Sequence, residues 1–179
     1  MMIKTDQDNA VLDRIIGERR SCRKFTREIP ADVQVESILH AGLHAPFAAA
    51  AIGDSKDYFR RFVVVRNGST AMKELSPLVF EGVLATAGDL EQAAAKNAQL
   101  REQAAGAHCM ENMWLKATAL GLGFQIVSAT AQMADNPGFC RALGLESGKW
   151  ALMGCAVGYP AEKLSPSIRP SVMEVTTWL

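Results

Sequence analysis

The sequence predicts an α+β fold, and three observations carry that reading. Segments with helical apolar spacing outnumber the short apolar runs that read as strands. The strand-like runs do not alternate with helices in a regular βαβ rhythm. No GxGxxG follows a strand and no GxxxxGK[ST] occurs, so neither a dinucleotide-binding turn nor a P-loop is present. The chain has 179 residues, enough for one domain with a sizeable core, and shows no repeat or low-complexity linker. A single domain over residues 1–179 is expected.

The elements follow in order. Val11, Leu12, Ile15 and Ile16 recur at helical spacing while Asp13, Arg14, Glu18 and Arg19 face elsewhere, which predicts a short helix packed on one face. Pro30 precedes a second helix, about 31–45, with Val35, Ile38, Leu39, Gly42 and Leu43 as its buried stripe. It ends at Ala45-Pro46, because a residue before proline avoids the αR region. Residues 47–57 form a small-residue loop, and 59–65 read as a strand whose continuous apolar end is buried on both faces. Ser69 or Thr70 caps a helical stretch over 71–86, which Pro77 is expected to break. The longest helical pattern runs from Asp89 to about Leu120, apolar nearly all round in its second half and stopped by Gly121-Leu122-Gly123. Phe124 to Val127 is a short strand. Asn136 caps a helix with Pro137 at its first position, ending near Gly144. Trp150 to Val157 is a second strand. The tail, 161–179, carries Val172, Val175 and Trp178 and should dock on its own subunit or on a partner.

Composition narrows the function. Lys+Arg and Asp+Glu both number 19, so no net field draws the chain to nucleic acid or to an anionic membrane. There is no apolar leader at the N-terminus and no apolar run of membrane-spanning length, so a cytoplasmic protein is expected. Cys22, Cys109, Cys140 and Cys155 are scattered without metal-type spacing and read as reduced thiols. His40 and His44 share a helix face, but no third ligand accompanies them, so a structural role is favoured over a metal site.

Against this neutral background, Arg19-Arg20-Ser21-Cys22-Arg23-Lys24-Phe25 concentrates three arginines and a lysine in seven residues. Cations at a helix C-terminus complement the helix dipole, and one arginine would do that alone. Arg19, Arg20, Arg23, Lys24 and Arg27 together exceed that need and suit a small phosphate-bearing ligand. Arginine meets a phosphate dianion with planar, bidentate donors. At about 4 Å and an effective dielectric of about 20, each such pair is worth about 4 kcal/mol before desolvation.

Three ordered blocks resemble the nitroreductase family: RRSCRKF at 19–25, ENMWLKATALGLG at 111–123, and LGLESGKWALMGCAVGYPAEK at 143–163. Arg169 follows where that family has a late arginine. The resemblance implies a central mixed β-sheet surrounded by helices in an intertwined homodimer, with FMN at the interface. It implies that Arg19, Arg20 and Ser21 hold the FMN phosphate and ribityl chain, and that Arg23 lies near the phosphate or the pyrimidine edge of the ring. Arg169 is implied as a second phosphate clamp, and Ile126-Val127-Ser128 as backbone running past the ring. The family's polar loop after Ala-Pro is replaced here by Phe47-Ala48-Ala49-Ala50-Ala51, which leaves backbone groups at Pro46, Phe47 and Ala48 for that side of the flavin. NAD(P)H and a small-molecule acceptor such as a nitroaromatic or quinone are the implied partners. No side-chain catalyst and no metal are implied. Alternatives are a flavin sensor or storage module without turnover, and family variants acting as flavin destructase, dehalogenase or ring dehydrogenase. A basic-patch binder of RNA or phosphoprotein is the remaining rival.

Overall fold

Helix α4 (Ala104–Ala119) is the element on which the others lean. Cys109, Met110, Met113, Trp114 and Ala117 recur along it every one to four positions and are all buried. The computed structural model in which this is seen describes residues 5–45, 61–87, 104–164 and 169–177. The expected loop at 47–57 and the first half of the expected 89–120 helix lie outside them.

Helix α2 (Asp32–Leu43) packs most extensively against α4, burying Ile38 and Gly42. A methyl group at Gly42 would lie 2.8 Å from Met113 Cγ and 3.0 Å from Cys109 Sγ, so the crossing needs a residue without a side chain. Asn112 Nδ2 on α4 donates to the Ala41 carbonyl at 3.2 Å and fixes the register of the pair. Gly121, at φ +71°, then ends α4. The Leu122 N–H donates to the Ala117 carbonyl and the Gly121 N–H to that of Thr118, the paired bonds of a Schellman terminus.

The chain leaves that turn directly into strand β1 (Gly123–Val127), which pairs antiparallel with strand β2 (Gly154–Gly158). Gly123 faces Gly158 across the ladder, and Val127 faces Gly154. Among the described residues the sheet has these two strands, supplemented by isolated bridges Ser21–Phe124 (parallel) and Phe25–Pro160 (antiparallel).

A second apolar cluster joins Leu75 of α3 (Thr70–Ala87), Met133 of a 3₁₀ segment (Ser128–Met133), Phe139 of α5 (Pro137–Ala142) and Leu152. Its helices start where the sequence places their caps. Ser69 Oγ accepts from the Met72 N–H at 3.1 Å, and Asn136 Oδ1 accepts from the Phe139 N–H at 2.9 Å. All four cysteines are free thiols, three of them buried.

Four expectations are corrected. Pro77 lies inside α3 without ending it. Its ring is on the exposed side, where water can satisfy the carbonyl that loses its donor. Helix α1 (Asp6–Glu18) is not packed on one face: it buries no residue, and Val11, Leu12 and Ile16 stand exposed. The 59–65 strand is not seen in its described part, since 61–66 carry no regular structure. The strand expected over 150–157 is confined to β2, because Leu152 turns into the second cluster before the ladder begins. The tail meets its own chain at its start, through Ala161 and Glu162, while helix α6 (Val172–Val175) leaves Val172, Met173 and Val175 exposed and Trp178 lies outside the described residues.

Candidate functional site: the basic segment and its supports

The basic segment is extended chain pinned to the end of the antiparallel β1–β2 pair. The Cys22 N–H donates to the Phe124 carbonyl at 3.0 Å, the Thr26 N–H to that of Tyr159 at 2.8 Å, and the Ala161 N–H to that of Lys24 at 2.9 Å. The facing glycines explain the fit. A methyl at Gly123 would lie 2.6 Å from Cys22 Cβ and 3.1 Å from Phe25 Cε1, and one at Gly158 would lie 3.0 Å from Phe25 Cδ1. Cys22 and Phe25 therefore occupy the space that side chains at Gly123 and Gly158 would fill. Cys22 is wholly buried, and burial raises its thiol above the usual range. Neighbouring side chains of an extended segment point opposite ways, so burying Cys22 turns Arg23 outward, where it is exposed.

The cations of the segment differ in their surroundings. Arg19 ends α1. Its Nε lies 3.1 Å from Glu111 Oε1, and its guanidinium sits 4.4 Å from the centre of the Trp114 ring. Glu111 and Trp114 are three apart on α4 and so share a face. Trp114 Nε1 donates to the Arg20 carbonyl at 3.2 Å, and its ring stacks on Phe124 at 5.4 Å. Arg20 turns back onto the end of α1, where its Nη1 donates to the carbonyls of Gly17 at 2.6 Å and Arg19 at 2.7 Å. Part of the cluster thus serves the helix terminus. Arg23 makes no hydrogen bond or ion pair with a described residue, and Lys24 pairs with Glu162 at 3.0 Å on the surface.

The structure brings Arg19, Arg20, Ser21 and Arg23 together with β1, because Ser21 bridges to Phe124. Ile126 and Val127 are the last residues of β1, and Ser128 opens the 3₁₀ segment, exposed. Arg169 is exposed and makes no hydrogen bond or ion pair with a described residue. Pro46, Phe47 and Ala48 lie outside the described residues. His40 and His44 meet edge to face at 4.6 Å, and no three-residue cluster of metal-ligating type exists among the described residues. The residues that sequence reasoning missed are Glu111 and Trp114. Their signal was only that an acid and an indole share a face of the helix preceding the GLG turn.

The donor set fits a phosphomonoester group. Guanidiniums and a hydroxyl stand within five residues on backbone that the β1–β2 strand pair holds in place, and Arg23 has no described partner to give up.

Comparison with known proteins bears on this arrangement. A family model described as Nitroreductase family matches residues 16–107 and 87–159. No curated protein matches the chain. Among solved structures, the chain is similar to a nitroreductase with bound FMN from Bacteroides fragilis (21% identity, TM-score 0.69, 94% of this chain and 98% of that one). It is similar to a nitroreductase with bound FMN from Desulfitobacterium hafniense (21%, 0.65, 99% and 100%). It is also similar to the NADPH:FMN oxidoreductase of Vibrio harveyi complexed with NAD+ (21%, 0.65, 94% and 76%). These likenesses show a shared fold, and the family match spans the basic segment, the GLG turn and both strands: the chain belongs to the nitroreductase family.

Proposed function

We propose that the protein is an FMN-dependent oxidoreductase of one domain over residues 1–179, acting in the cytoplasm as a homodimer. The observation that carries this reading is the basic segment itself, a phosphate-type donor set held on the β1–β2 strand pair of a nitroreductase-like fold. Bound FMN would supply the redox chemistry, passing hydride from NAD(P)H through its N5 to a small organic acceptor such as a nitroaromatic or quinone. The chain's own part is binding and orientation. Arg19, Arg20 and Arg23 offer charge to the phosphate, Ser21 offers a hydroxyl donor, and Arg169 is the proposed clamp from the far end of the chain. Residues 126–128 and the backbone at Pro46, Phe47 and Ala48 are the proposed flank of the ring. No side chain is asked to move a proton.

A second copy is supported by what one chain leaves uncovered. Val11, Leu12 and Ile16 of α1 and Val172, Met173 and Val175 of α6 are apolar residues exposed at the two ends of the chain. Such groups gain by burial against a partner.

One experiment tests the reading. The absorbance spectrum of the purified protein should show an oxidised flavin band that bleaches on anaerobic addition of NADH or NADPH and returns with a quinone. A colourless protein that takes up no added FMN overturns the reading. A yellow protein that neither nucleotide bleaches points instead to the module without turnover, which the alanines at 48–51 favour by removing side-chain polarity.

A further inference from the structure

Glu111 and Trp114 have no role in the reading above, yet they hold both arginines that begin the basic segment. The Glu111 carboxylate takes the Nε side of Arg19, and the Trp114 ring lies under its guanidinium plane. Neither terminal nitrogen of Arg19 bonds to a described residue, and the side chain is 20% exposed. The fork end of the guanidinium, the end that pairs with phosphate in two parallel bonds, is therefore left open. The same indole fixes the next peptide by donating to the Arg20 carbonyl.

We propose that Glu111 and Trp114 are positioning residues, presetting Arg19 with its terminal nitrogens presented to the FMN phosphate. This rests on the FMN reading and deepens it. Two effects of Glu111 oppose each other. Its charge lowers the positive potential at the phosphate. Its ion pair, together with the indole under the guanidinium, removes the freedom that a long arginine chain would otherwise lose on binding. The second effect prevails here because Glu111 is half exposed, at 48%, so water screens its charge at the distance of the phosphate, while the Nε–Oε1 contact at 3.1 Å is close and the Trp114 ring packs on the guanidinium.

The test uses apoprotein and two ligands, FMN and riboflavin, which differ by the phosphate. Kd is measured by quenching of flavin fluorescence for wild type, Glu111→Ala and Glu111→Gln. Wild type should prefer FMN. Glu111→Ala should weaken FMN roughly five- to tenfold, the cost of ordering one freed arginine side chain, and leave riboflavin unchanged. Glu111→Gln keeps the side chain's size and an oxygen beside Nε without the charge, and should lose less FMN affinity than Glu111→Ala. A gain in FMN affinity in both variants would mean that charge dominates, and would overturn the proposal while sparing the FMN reading. An equal loss for FMN and riboflavin would also overturn it, by showing a merely structural role. A wild type that binds neither flavin would refute the FMN reading and this proposal with it.

Discussion

Gly123→Ala isolates the contact that seats the basic segment. Gly123 is not among the glycines with positive φ, so its backbone accepts alanine, and in a strand the exchange alone would favour the folded state. The obstacle is packing. The new methyl would lie 2.5 Å from Cys22 Sγ, 2.6 Å from Cys22 Cβ and 3.1 Å from Phe25 Cε1. Cys22 cannot move aside cheaply, because it is wholly buried and its N–H is bonded to the Phe124 carbonyl. Overpacking of this kind costs about 1–3 kcal/mol. With a urea m-value of about 2 kcal/mol/M, a cost near 2 kcal/mol lowers the unfolding midpoint by about 1 M. The assay is urea denaturation of wild type, Gly123→Ala, Cys22→Gly and the double variant. Removing the Cys22 side chain opens the space that the methyl needs, so the two changes should couple favourably by about 1–2 kcal/mol. An unchanged midpoint in Gly123→Ala, or strict additivity in the double variant, would refute the packing that is inferred to hold residues 21–25 on the β1–β2 strand pair.

Two further outcomes are expected. Arg19→Ala combined with Arg23→Ala should cut flavin occupancy of the purified protein at least about tenfold, the loss of two charge-assisted contacts, with far-UV circular dichroism unchanged; a saturated yellow double variant would remove these residues from the site. Burial, with Cys109 nearby, pushes the Cys155 thiol from its ordinary 9.0 up to about 12. The unfolded chain then loses that proton first. The stability tied to it is intact below pH 9 and declines as pH rises from there toward 12, and Cys155→Ala should flatten that part of a stability–pH curve measured by urea titration.

What the sequence made legible was local chemistry. Asn136-Pro137 and Gly121-Leu122-Gly123 name their own backbone geometry, so the start of α5 and the end of α4 could be read residue by residue. Pro77 misled because the cost of a helical proline depends on whether water reaches the orphaned carbonyl, and exposure is a tertiary property. Helix α1 misled for a related reason. An apolar stripe shows what a helix would bury, not whether its own chain supplies the cover. At the site, the arginines were visible as a cluster, but their supports were not. Trp114 meets the Arg20 carbonyl across 94 positions, and no spacing rule reaches that far. Nor does Cys22 advertise that it fills the room left by a glycine about a hundred residues later.

The anchoring of residues 21–26 to both strands, β1 at Phe124 and the exit of β2 at Tyr159 to Ala161, has a consequence for the order of events during synthesis. The segment is made early, but its attachments come late: Lys24 meets Glu162 across 138 positions, and Phe25 bridges to Pro160. Contacts of such separation close slowly, and on a ribosome they cannot close until the second strand has emerged. The arginines therefore spend most of translation without their platform, and a nascent chain truncated before Gly154 should hold no cofactor.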